Sequence, residues 1–189
     1  MFKKMIVVAA MAFVAISTQI STASATLING GFETGDFTGW TVDTINNWAM
    51  VINSGTQQSG DFEAQLGTYG TTGSISQTFG TSAGQAYRIS FWLANDSSDT
   101  SNAFQALWNG QVETLNPVLT PTLASTYTEY QFTASASGSS STIAFNFFND
   151  PSVYHLDTIE AAPVPEPSTL LLLGAGLTGV VGIRRRKRK

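Results

Sequence analysis

From Tyr87 to Ala94 the chain alternates without a break, with Tyr87, Ile89, Phe91 and Leu93 on one side and Arg88, Ser90, Trp92 and Ala94 on the other. Side chains of an extended strand point to opposite faces with a period of two, whereas a helix face recurs every 3.6 residues, so this stretch predicts a strand with one buried face. The same reading covers Tyr130 and Phe132 within Thr126 to Thr133, and Ile143, Phe145 and Phe147 further on. Asn109-Gly110 stands between Phe104–Trp108 and Gln111–Leu115. A two-residue hairpin turn needs positive φ at both central positions and Asn-Gly supplies it, so the flanking runs are adjacent antiparallel strands. The Gly/Ser/Thr-rich stretches Gly67–Ser76 and Ser135–Thr142 read as turns or exposed edges. About eight short strands separated by turn signals predict an all-β, antiparallel β-sandwich, with Trp40 among its core residues.

The two ends are of a different kind. Residues 1–25 carry Lys3 and Lys4, an apolar run from Met5 to Ile16 and Ala23-Ser24-Ala25, the layout of a secretory signal helix cut near Thr26 by signal peptidase after the export machinery has engaged it. Residues 164–189 begin with Pro165, Glu166 and Pro167, continue through an uncharged run from Ser168 to Ile183, and end on six basic residues that start with Arg184, Arg185 and Arg186. Proline lacks a backbone donor and disfavours helix in the residue before it, so the triplet is an extended break. The apolar run, as a helix, reaches about 24 Å against a hydrocarbon core of roughly 30 Å, so it can enter a bilayer but falls slightly short of spanning it. The basic end stays on the cytoplasmic side, which places the preceding chain outside it. Residues 26–163 are then one domain.

This tail resembles the PEP-CTERM sorting signal: the triplet, a short apolar helix and a basic terminus, in that order. The resemblance implies an exported protein of a Gram-negative bacterium, held as a precursor in the inner membrane and cut near the triplet by an exosortase. The product is released to the cell surface or the extracellular polysaccharide matrix.

Charge narrows the function of the central domain. Of the nine basic residues, Lys3, Lys4 and the six from Arg184 to Lys189 belong to the ends, which leaves Arg88 alone. Of the thirteen acids only Glu166 lies outside the domain, so twelve remain and the domain's net charge is −11. Nucleic acid and anionic surfaces require a cationic face, which excludes them as partners. Neutral glycans and cations such as Ca²⁺ suit the acidic domain. With no cysteine, the exported domain has neither disulfides nor thiol chemistry.

Asn29–Trp40 (NGGFETGDFTGW), Ser59–Gly67 (SGDFEAQLG), Tyr87–Asp96 (YRISFWLAND) and Phe147–Ala161 (FFNDPSVYHLDTIEA) together resemble the jelly-roll domains found ahead of PEP-CTERM tails. Those domains are similar to the carbohydrate-binding modules of secreted polysaccharide-degrading enzymes. The resemblance implies that the first and last strands meet at one sheet edge, with a structural Ca²⁺ held by Glu33 and Asp157. Six to eight hard oxygens satisfy that ion, and loops supply carboxylates together with carbonyls. Sugar faces pack their C–H groups on flat rings. Trp92, on the face opposite Tyr87 and Phe91, is the first candidate for such a contact, with Arg88 beside it and Trp108, Tyr154, Trp48 and Tyr69 as further candidates.

Catalytic signatures are poor. Gly80–Gly84 spells G-x-S-x-G, but a nucleophile elbow needs a helix after it and a histidine partner, and here a strand follows. His155 is the single histidine, next to the last strand in a proline-containing loop region. Gly67, Gly70 and Gly73 lack the lysine of a phosphate loop. The expectation is a non-catalytic, glycan-associating surface or matrix protein. A structural or adhesive protein without a sugar site, and a small polysaccharide hydrolase, are the alternatives.

Overall fold

A computed structural model describes residues 27–43, 47–97, 99, 101–119, 126–165 and 174. Ten strands form two antiparallel sheets: β1 (Thr41–Asp43), β2 (Asn47–Ile52), β3 (Glu63–Thr68), β4 (Gly73–Gly80), β5 (Ala86–Asn95), β6 (Ala103–Trp108), β7 (Gln111–Val112), β8 (Thr128–Ser135), β9 (Ser140–Phe148) and β10 (Val153–Pro163). One sheet has the order β1-β4-β9-β6-β7 and the other β2-β3-β10-β5-β8. The expected all-β jelly-roll sandwich is therefore present. The expected signal helix and nearly all of the expected apolar tail helix lie outside the described residues, of which Gly174 alone is helical. Among the described residues no helix is long and apolar enough to cross a membrane.

The strand parity seen in the sequence sets the core. Tyr87, Ile89, Phe91 and Leu93 of β5 and Tyr130 and Phe132 of β8 face Phe104, Ala106 and Trp108 of β6 and Ile143, Phe145 and Phe147 of β9, all in one cluster of buried residues. Phe91 lies at its centre, with ring centroids 4.9 Å from Phe145, 5.8 Å from Phe104 and 5.8 Å from Tyr130. Asn109 and Gly110 have φ of 50° and 82° and join β6 to β7 with Trp108 opposite Gln111, the hairpin the sequence predicts.

Two expectations about strands need correction. The Gly/Ser/Thr stretches turn only in their middles, at 69–72 and 136–139, and the rest is strand: Gly73–Gly80 is β4, the second strand of its sheet, and its full length pairs with β9. Small polar side chains are tolerated there because only alternate positions face the core, and Ile75 and Phe79 fill those. The last strand is not at a sheet edge. β10 is the middle strand of its sheet, between β3 and β5, and it contains the single histidine.

β10 is also where the start of the domain docks. Its pairing with β5 shifts register between Asp157 and Glu160, and Thr158 has φ of 48° in this bulge. There the Ile159 N–H donates to Gly30 O at 2.9 Å. A Cβ on Gly30 would lie 2.1 Å from Ile159 O, so this approach admits only glycine. Asn29, with φ of 54°, accepts from Thr34 N–H at 3.2 Å through Oδ1 and donates to Asp36 O at 2.9 Å through Nδ2, while Trp40 Nε1 donates to Asn29 O at 3.1 Å. The buried carboxamide of Gln77 completes the attachment, accepting from Ile28 N–H at 2.7 Å and donating to Ile28 O at 2.8 Å.

Replacing Phe91 by Ala removes the ring shared by both sheets. Equilibrium urea unfolding should show a loss of about 3–5 kcal/mol, the range for a fully buried aromatic, and a loss below 1 kcal/mol would show that the rings do not interlock as described.

Candidate functional site

The face of the β2-β3-β10-β5-β8 sheet turned away from the core follows from register. Trp48, Met50 and Ile52 of β2 oppose Gly67, Gln65 and Glu63 of β3, Val153 and His155 of β10 oppose Gly67 and Gln65, and Asp157 opposes Trp92, which in turn opposes Glu129 of β8. Cross-strand partners share a face. Trp92 is half-buried and Arg88 exposed, as parity predicted.

Trp108 and Tyr154, by contrast, face inward and are corrected as surface candidates. Trp108 is buried, stacked on Tyr87 with centroids 6.0 Å apart, and its Nε1 donates to Ser135 O at 3.2 Å. Tyr154 is buried edge-on against Phe104 at 5.2 Å. They share parity with Phe104 and Leu156, which left no alternative once those filled the core. Trp48 and Tyr69 are exposed, at 57% and 70%, and Trp40 is buried in the core.

At the middle of the outer face lies a charged network that sequence reasoning missed. Glu63, at 0% exposure, accepts from Tyr127 Oη at 2.6 Å through Oε2, and its Oε1 is 2.6 Å from His155 Nδ1. His155 Nε2 lies 2.9 Å from Asp96 Oδ2, close enough for an ion pair but off the line of a hydrogen bond. Burial alone pushes the Glu63 carboxyl up, yet the hydrogen bonds from His155 and Tyr127 outweigh it and hold it below its ordinary value of 4.5. Burial likewise pushes the His155 imidazole down, and the hydrogen bond to Glu63 together with the negative charges of Glu63 and Asp96 reverses this, raising it above 6.5. Burial and Glu63 together push the Tyr127 phenol far up, so it remains a donor. A lone histidine in an acidic domain was the available signal, but its partners are distant in sequence.

Glu33 and Asp157 come together at the bulge. A side-chain atom on Gly31 would lie 3.8 Å from Asp157 Oδ1 and 4.0 Å from Glu33 Oε1, so both carboxylates border one small space. Glu33 accepts from the N–H groups of Asp61 and Phe62 at 2.9 and 3.2 Å, and a Cβ on Gly60 would overlap its carboxylate at 2.2 Å. Asp157, fully buried, accepts from Ser59 N–H at 3.0 Å and Thr158 N–H at 2.6 Å. Burial nonetheless pushes its carboxyl above the ordinary range. Among the described residues no three His, Cys, Asp or Glu side chains gather as a metal cluster, so a cation here would complete its shell with carbonyl oxygens.

The G-x-S-x-G letters fall in the turn between β4 and β5, and Ser82 N–H donates to Tyr87 Oη at 3.0 Å.

Residues 163–187 match the PEP-CTERM protein-sorting motif, which begins one residue before the expected start of the tail at 164. No curated protein matches the sequence. Among solved structures, the CBM22-1 xylan-binding domain of Paenibacillus barcinonensis Xyn10C is similar over 73% of this chain and 94% of that one, with 17% identity and a TM-score of 0.54. The CBM22-1-GH10 modules of Clostridium thermocellum Xyn10B match over 75% of this chain and 29% of theirs, at 13% identity and a TM-score of 0.59. The enzymatically active domain of bacteriophage CBA120 tailspike protein 4 matches at 13% identity and a TM-score of 0.56, and the present chain spans only 21% of it. At these identities the likeness is one of fold. The chain thus combines a carbohydrate-binding-module-like jelly roll with a PEP-CTERM sorting motif.

The pH dependence of stability reports on the network. Glu63 contributes stability present above 4.5 and lost as pH falls through its lowered value, and His155 contributes stability present below 6.5 and lost as pH rises through its raised value. The stability gap between wild type and His155→Gln should therefore be widest between about pH 4.5 and 6.5 and narrow on both sides. A gap independent of pH would show that the imidazole is not ionised by these partners.

Proposed function

We propose that the protein is an exported surface or matrix protein that binds glycan, without catalysis, on the outer face of the sheet centred on β10. The observation that carries this reading is Trp92: half-buried, in register with Asp157 on one side and exposed Glu129 on the other, in a sheet whose middle holds the fixed polar network of Glu63, His155, Asp96 and Tyr127. A flat ring held on a strand beside oriented hydrogen-bonding groups fits a ligand with C–H faces and hydroxyl edges. The similarity of fold to a xylan-binding domain supports the ligand class. Arg88 marks one end of the face.

The carboxylates support binding over hydrolysis. A glycosidase needs one acid poised to give a proton and a second free to act as base or nucleophile. Glu63 has both oxygens engaged and a lowered pKa, and Asp157 has both oxygens accepting from backbone N–H groups.

Export, transient residence in the inner membrane, cutting by an exosortase and delivery to the Gram-negative cell surface follow from the sorting motif in this proposal. Ca²⁺ is proposed as a structural ion held by Glu33 and Asp157. Asp157 is a buried carboxylate with no described cation beside it, and carboxylate oxygens are the hard donors that Ca²⁺ takes. An adhesive role has one observation in its favour: Trp48 and Met50 are exposed at 57% and 47% on β2, an edge strand.

Two measurements test these assignments. In affinity gels containing xylan or other neutral polysaccharides, Trp92→Ala should migrate unretarded while Trp108→Phe remains retarded like wild type. Equal retardation of wild type and Trp92→Ala would remove Trp92 from the site, and no retardation of wild type on any glycan would favour the adhesive reading. In thermal melts, Ca²⁺ should raise the melting temperature of wild type and leave Asp157→Asn unchanged; a wild-type melt unaffected by both Ca²⁺ and EDTA would remove the ion.

A further inference from the structure

The sorting motif does not begin beyond the fold but inside it. β10 runs to Pro163, which pairs with Tyr87, and the matched motif starts at that residue. Val164 is then held by both of its backbone groups: its N–H donates to Ala86 O at 2.8 Å and its carbonyl accepts from Gln85 Nε2 at 2.7 Å. Gln85 is itself fixed, since its Nε2 also donates to Ala86 O at 2.9 Å and its carbonyl accepts from Ala136 N–H at 2.9 Å. Pro165 borders a shallow pocket with Arg88, Ala162 and Pro163. Only Pro165 separates the last clamped residue from Glu166. At about 3.5 Å per extended residue, no spacer worth the name separates triplet and sandwich.

We infer that Gln85 is a clamp on the N-terminal flank of the sorting motif, and that the folded sandwich thereby controls how a processing protease reaches the triplet. The inference rests on the proposed cutting of the tail. Proteins that read an extended peptide commonly do so through its main-chain N–H and C=O groups, as an added strand. Both such groups of Val164 are already occupied by the sandwich. A protease must therefore either work from the C-terminal side of Val164 or wait for the end of β10 to peel away, which breaks two hydrogen bonds before any are made to the enzyme. Local opening of this kind at a strand end is a low-energy event, so the clamp slows cutting without forbidding it.

The experiment follows tail removal by intact mass in a Gram-negative host carrying an exosortase, for wild type, Gln85→Ala and a variant with a short Gly/Ser linker inserted between Val164 and Pro165. The linker variant should lose its tail faster by on the order of tenfold, the equivalent of two net hydrogen bonds, with Gln85→Ala in between. The wild-type product should retain Val164. Equal rates in all three, with the tail removed, would overturn the inference while leaving the processing reading intact. A tail retained in all three would instead remove the processing reading. Amide exchange then decides the clamp on the same chains: a Val164 amide protected in wild type and exposed in Gln85→Ala supports it, and equal exchange overturns it.

Discussion

The contact on which most of this structure depends is the seating of Gly30 on the bulge of β10. It is one hydrogen bond, Ile159 N–H to Gly30 O, and one close approach that excludes any Cβ. Because β10 is the middle strand of its sheet, this contact ties the start of the domain to its centre instead of to a margin. The bulge also turns Asp157 toward the loop at Ser59 and brings Glu33 to the same small space. A single irregularity in one ladder thus closes the domain and builds the pair of carboxylates.

The outer face of the same sheet is organised by a second constraint, the burial of ionisable groups that must find partners there. An isolated buried carboxylate or imidazolium is costly, and Glu63 and His155 remain there because each supplies the other's partner. Tyr127 and Asp96 take up the remaining atoms at the two ends of the chain of contacts. The result is a polar centre with fixed orientation beside Trp92.

The strands were legible where alternation was strict. Tyr87 to Ala94 declared both its faces, and Asn109-Gly110 declared its turn, because each depends on neighbours within a few residues. Gly73–Gly80 was not legible, since two core side chains in eight positions leave small polar residues dominating the composition. Glu33 and Asp157 were named through resemblance, and the structure places them together. Glu63, Tyr127 and Asp96 were not named: His155 meets Glu63 across 92 residues, and no local pattern encodes such a pair.

The sequence by itself determined which side chains of each strand share a face, where the hairpin turns, and that the domain carries a single cation among many acids. Parity and composition are local or additive properties, so they survive without coordinates. Only the tertiary structure decided which face is covered where alternation was less strict. It put Trp108 and Tyr154 inside, placed β10 at the centre of its sheet, and joined the sorting motif to the sandwich without a spacer. Those outcomes rest on long-range strand pairing and on the packing of one sheet against the other, where a residue's partner is chosen by the whole chain.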